Sequence, residues 1–266
     1  MKIITTLLVS GFIVSSAMAA LVTKPVAYEH AGVKLTGYLA YDDAVTAKRP
    51  GVLVIPEWWG LNDYAKDRAK QLAALGYVAF AADMYGAGET TTDAKRAGTL
   101  AGGFYGKPLF AERARAGLDT LAKQDGVDGK KLAAIGFCFG GSACQVLAYD
   151  GAPLAGIVSF HGGLIPAPEG AGAKVKSRFL MLSGAIDPMV KPADIAGFQA
   201  SAEREKIDYE FVSYAGALHA FSNPEATALA AKNGLSAAVG YQETAARRST
   251  AQMEIFLKDI FGGAGK

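Results

Sequence analysis

"KLAAIGFCFGGSACQVLAY", residues 131–149, decides how the chain is read. After Lys131 comes a short apolar run, as a strand buried on both faces of a parallel sheet requires. From Gly140 the pattern turns helical. Between the two, Gly136, Cys138 and Gly140 have the G-x-C-x-G spacing of a nucleophile elbow, with Cys replacing Ser. The nucleophile of such an elbow sits on a sharp turn, so the residues two positions either side must lack bulk. The following helix turns its N-terminal N–H groups and partial positive charge towards the sulfur, which favours thiolate. The plainer alternative is a small buried cysteine between packing glycines.

The same alternation extends outward in both directions. "KPVAYEHAGVKLTGYLAY" reads as an opening hairpin and "PGVLVIP" as a buried strand. "NDYAKDRAKQLAALG" reads as a helix capped by Asn62, with Leu72 and Leu75 on its apolar stripe and Gly76 as its stop. "YVAFAADMYG" is a strand with its loop, and residues 92–124 form two helical pieces. "LAGIVSFHGG", "SRFLMLSG" and "YEFVSYAG" are further strands. "PADIAGFQASAEREK" and "GYQETAARRSTAQMEIFLKDIF" are helices. Strand–helix alternation over this length predicts an α/β fold, a mostly parallel central sheet with helices on both faces. Ligands of such sheets bind beyond the carboxyl ends of the strands.

Composition agrees with a packed domain. The 266 residues are 51% hydrophobic and 20% charged, which excludes a disordered chain. "MKIITTLLVSGFIVSSAMAA" has a lysine, a short apolar run and an Ala-Met-Ala cleavage form, so residues 1–19 are expected to be a signal peptide. The run is shorter than the roughly 20 residues of a membrane span. Residues 20–266 are then one exported domain, periplasmic or secreted. Net charge of +2 falls to +1 when Lys2 leaves, giving no electrostatic argument for nucleic acid or an anionic membrane as partner. Cys138 and Cys144 on one helix would lie about 9 Å apart, too far for a disulfide. His30, His161 and His219 are dispersed without metal-ligand spacing, so no metal and no cofactor is expected.

A cysteine nucleophile needs a base and an orienting acid. Asp187 follows one strand in "FLMLSGAIDPMV" and His219 follows the last in "FVSYAGALHAF". Cys138, Asp187 and His219 run in the chain order nucleophile, acid, histidine. Asp194 and Asp208 are rivals that do not follow a strand end. The oxyanion donors are expected to be the N–H of Phe139 and, from the loop "PEWWGLND", that of Trp58. Glu57 directly follows an apolar strand and can hold the thiol or accept its proton; otherwise it is a surface carboxylate. Trp59, His161 and Phe221 are candidate substrate-binding residues, with core packing as the alternative for Trp59 and a purely structural role as the alternative for His161.

"PEWWGLND", "ADMYG", "GFCFGG", "SGAIDPMV" and "GALHAF", taken in order over roughly residues 25–262, resemble the dienelactone hydrolase family. The resemblance implies the α/β-hydrolase fold and hydrolysis of a small-molecule carboxylic ester or lactone. It also implies a triad of Cys138, Asp187 and His219, and a Glu57 that interacts with Cys138 to generate the thiolate. Asn223 stands where the family has an arginine that helps hold a substrate carboxylate. Arg96 lies near the place of a second family arginine. The alternatives are a thioesterase or acyltransferase using the same triad, a non-catalytic binding module, and a redox-sensing thiol.

Overall fold

The structure, a computed structural model, describes residues 21–262; the expected signal peptide, residues 1–19, lies outside them. Strands β1 (Leu21–His30) and β2 (Val33–Asp42) form the expected hairpin. Its tip uses Ala31 at φ 51° and Gly32 at φ 76°, the positive values a two-residue hairpin turn needs. The other strands are β3 (Arg49–Ile55), β4 (Val78–Ala81), β5 (Val127–Phe137), β6 (Gly156–Phe160), β7 (Arg178–Gly184) and β8 (Tyr209–Tyr214). All eight join one sheet in the order β1-β2-β4-β3-β5-β6-β7-β8. β1 and β2 pair antiparallel, as do β2 and β4; every later pairing is parallel.

Seven α-helices are described: α1 (Asp63–Ala74), α2 (Ala94–Gly102), α3 (Leu109–Ala122), α4 (Phe139–Tyr149), α5 (Pro192–Glu205), α6 (Ala226–Lys232) and α7 (Glu243–Ile260). The central strands are mainly apolar along their buried stretches because both faces are covered there. On β3, Leu53 and Ile55 pack with Leu118 of α3 and Leu147 of α4. Val52 and Val54 face the other way, with Leu72 of α1 and Phe256 of α7. Asn62 caps α1 as expected, its side chain accepting from the Ala65 N–H. Gly76 follows the helix at φ 93°. Leu75 corrects the sequence reading. It is the C-cap and 43% exposed, because the chain has already left the helix face that buries Leu72. The seven-residue α6 was not anticipated.

This topology sends five loops to one edge of the sheet. They follow β3, β5, β6, β7 and β8, and carry Glu57, Cys138, His161, Asp187 and His219 respectively. Among the described residues, no helix is long and apolar enough to cross a membrane.

Candidate active site

Cys138 sits between β5 and α4 with φ 52° and ψ −114°. A side chain at positive φ is strained by about 1–3 kcal/mol and persists only where its surroundings impose it. Here they do. A Cβ on Gly136 would collide with the Gly140 carbonyl, and one on Gly140 with the Ile55 carbonyl. These partners are backbone and cannot yield, so glycine is what lets α4 start this close to β5 and β3. The Cys138 N–H donates to the Phe160 carbonyl at 2.9 Å, tying the turn to β6. The sulfur is half-buried at the N-terminus of α4, whereas Cys144 is fully buried and burial pushes its thiol pKa up. Both cysteines are free.

Asp187 and His219 meet as the strand-end rule requires. His219 Nδ1 donates to Asp187 Oδ2 at 2.8 Å, and Asp187 Oδ1 accepts from the Met189 N–H at 2.8 Å. That leaves Nε2 as the ring nitrogen not engaged by Asp187, and among the described residues it has no hydrogen-bond partner at full bonding geometry. The His219 backbone is clamped on both sides, its N–H to Ala238 and its carbonyl to the Gly240 N–H, each at 3.0 Å. Burial pulls its pKa down, but the charge of Cys138 and the Asp187 hydrogen bond outweigh this and raise it to about 10. Asp194 and Asp208 are elsewhere: Asp194 accepts from the Lys191 N–H at the start of α5, and Asp208 pairs with Arg178.

Cys138, His219 and Glu57 line one cavity of about 90 Å³, together with Trp58, Trp59 and Met189. Its far wall is α6, through Ala226, Leu229 and Ala230. The cavity is smaller than the roughly 150 Å³ that accommodates benzene, which fits a short acyl group. Trp59 is both a wall and a core residue, lining the cavity while only 6% exposed. The Trp58 carbonyl accepts from Tyr85 Oη at 2.9 Å, which fixes its peptide. The N–H groups of Trp58 and Phe139 make no hydrogen bond among the described residues, so both are available as oxyanion donors. Tyr85 was missed in the sequence. Burial, then the charge of Cys138, raises its pKa.

Three expectations need correction. Glu57 is buried, not a surface carboxylate, yet it makes no hydrogen bond to Cys138. Its Oε2 accepts from Asn223 Nδ2 at 2.7 Å, and its Oε1 has no partner. Burial raises its pKa to about 7, against the lowering effect of Asn223, His219 and Arg68. His161 does not line the cavity. It is fully buried behind His219, their rings edge-on at 5.4 Å, and its Nε2 bonds Ser222 Oγ at 2.8 Å. Ser222 also bonds Tyr64 Oη, and its carbonyl accepts from Arg68. Burial and the charge of His219 hold His161 well below the usual histidine range, so it is a neutral support. Phe221 likewise is fully buried, packed on His161 and Tyr214. Arg96 is half-exposed on α2 and paired with Glu89 at 2.9 Å, away from the cavity.

The comparisons with known proteins agree with this fold. The sequence model of the dienelactone hydrolase family matches residues 35–261. A Saccharolobus solfataricus protein named "Putative carboxymethylenebutenolidase" is 28% identical over 236 residues, covering 75% of this chain and 89% of that protein. The Caenorhabditis elegans protein K02A2.1 is 31% identical over 154 residues, covering 56% of this chain and 92% of that protein. Among solved structures, the dienelactone hydrolase-like promiscuous phosphotriesterase P91, from metagenomic libraries, is 39% identical with a TM-score of 0.86. That likeness covers 91% of this chain and all of P91. The elbow, the strand-end loops and the matched span therefore have one conclusion: the chain belongs to the dienelactone hydrolase family, and is a carboxylic ester hydrolase of α/β-hydrolase fold.

Proposed function

We propose that the chain cleaves small carboxylic esters or lactones through a Cys138–His219–Asp187 triad and an acyl-enzyme. The observation that carries this reading is the shared cavity: an elbow sulfur and an Asp187-bonded imidazole open onto one apolar space. The Cys138 thiolate attacks the carbonyl carbon, and the N–H groups of Phe139 and Trp58 hold the oxyanion. The intermediate collapses with cleavage of the C–O bond. The His219 imidazolium gives its proton to the departing alkoxide. Neutral His219 then takes a proton from water, hydroxide attacks the thioester, and the thiolate leaves with the acid released. Asp187 fixes the tautomer throughout. Thiolate attack suits activated esters, because sulfur is itself a good leaving group. A panel of aryl esters and lactones tests the class: turnover is expected for short acyl chains, and absence of any ester or lactone hydrolysis contradicts it.

Glu57 adds a second titrating group beside the imidazole. Its folded pKa, about 7, lies above the ordinary 4.5. The stability it contributes is therefore present below about pH 4.5 and lost as pH rises through about 7. Ionised and buried, Glu57 costs on the order of 3 kcal/mol at pH 8. Glu57→Gln is expected to raise Tm at pH 8 and leave it unchanged at pH 4. It should also remove the limb near pH 7 from the kcat/KM profile. An unchanged profile takes Glu57 out of the mechanism.

Export belongs to the same reading and rests on residues 1–19 alone. N-terminal sequencing of the exported protein should find Ala20 first; a retained Met1 contradicts it.

A further inference from the structure

We propose that the site is selective for uncharged acyl groups, because Asn223 is committed to holding a buried acid and no lysine or arginine lines the cavity. The cavity's one cation, the His219 imidazolium, is already balanced by Asp187 and the Cys138 thiolate. The inference rests on the catalytic reading and adds the substrate class to it. Among the residues lining the cavity there is no lysine or arginine. Its polar members are Glu57, Asn223, Cys138 and His219. The imidazole of His219 is already paired with Asp187.

Asn223 is 1% exposed and its amide is used at both ends. Nδ2 donates to Glu57 Oε2 at 2.7 Å, and Oδ1 accepts from the Glu225 N–H at 2.9 Å. The amide is therefore oriented by Glu57 and the Glu225 N–H, and its remaining Nδ2 hydrogen is a neutral donor that supplies no counter-charge to an incoming ligand. Glu57 is 2% exposed, and its Oε1 is buried without a partner. A substrate carboxylate entering here would meet a buried acid and apolar walls from Trp58, Trp59 and Leu229. It would lose its hydration and gain no uncommitted counter-charge, since His219 is already paired with Asp187, which is the costly way to bury an ion. A neutral acyl chain loses little on entry and buries apolar surface.

The test uses two p-nitrophenyl esters of the same shape, one neutral and one anionic. The 4-methylpentanoate is neutral; the hydrogen succinate carries a carboxylate where the other has its terminal methyls. Both are assayed at pH 8 with wild type and Cys138→Ala, the latter measuring turnover that does not pass through the site. The expected result is a Cys138-dependent kcat/KM at least about tenfold higher for the neutral ester. A smaller preference, or the reverse, overturns the selectivity and leaves the catalytic reading standing. No Cys138-dependent turnover of either ester overturns the catalytic reading and the selectivity with it. In Asn223→Arg, the neutral-to-anionic ratio should fall by at least tenfold. A folded variant with an unchanged ratio contradicts the role of Asn223, and the wild-type ratio decides the selectivity if that variant fails to fold.

Discussion

Cys138→Ala is expected to lower kcat for an aryl ester by a factor on the order of 10⁴ or more, the scale on which a triad nucleophile fails. Among the described residues lining the cavity with His219, the Cys138 sulfur is the one thiol or hydroxyl nucleophile. Ser142 follows on α4, but its Oγ donates to the Gly163 carbonyl at 3.0 Å and its side chain is tied down there. The fold should survive. Alanine removes one half-buried atom, and the turn is held by Gly136, Gly140 and the Cys138 N–H bond to Phe160, none of which needs the sulfur. Circular dichroism and Tm should therefore match wild type within a few degrees. Cys144→Ala supplies the contrast. Cys144 is fully buried on the core face of α4, so its loss should touch stability and not chemistry. Retained ester turnover in Cys138→Ala would falsify the triad.

The second large effect belongs to His219. His219→Ala should lower kcat/KM by at least about a hundredfold, the low end for a lost general acid–base group. Asp187→Asn should act in the same direction. Its amide cannot favour the Nδ1–H tautomer as the carboxylate does at 2.8 Å. A stability signature separates the imidazole from a merely packed ring. Its folded pKa of about 10 lies above the ordinary 6.5. The stability this gives is fully present below about pH 6.5 and is lost as pH rises through about 10. Wild type should therefore lose more Tm between those limits than His219→Ala. Equal slopes in the two proteins mean that His219 carries no proton above its ordinary range.

Much of this was legible in the sequence, for physical reasons. Strands covered on both faces must be mainly apolar along their buried stretches, so β3, β5, β6 and β7 announce themselves as short runs. The elbow was legible because two backbone approaches exclude any Cβ. Loops after strands were legible as a place, but not as a direction. His161 and Phe221 both follow strands, and both turn out to be buried supports; His161 has φ 41° and spends its Nε2 on Ser222. The α6 wall escaped notice because "ATALAAK" is short, has no side-chain cap and carries no long apolar stripe. Tyr85 lies in a loop with no periodicity to mark it. Asn223 was visible as a departure from the family pattern, but its partner was not. Only the fold brings Glu57, after β3, to a residue 166 positions away.

Rapid-quench mass spectrometry would trap the acyl group on its nucleophile. Wild type and His219→Ala are mixed with excess p-nitrophenyl butyrate, quenched in acid and mapped by peptide. His219→Ala is included because loss of its base slows hydrolysis of the thioester. One butyryl group is expected on the peptide holding Cys138, enriched in His219→Ala and absent from Cys138→Ala. Turnover with the acyl group on another residue, or with no covalent acyl species in either protein, would contradict the Cys138 acyl-enzyme.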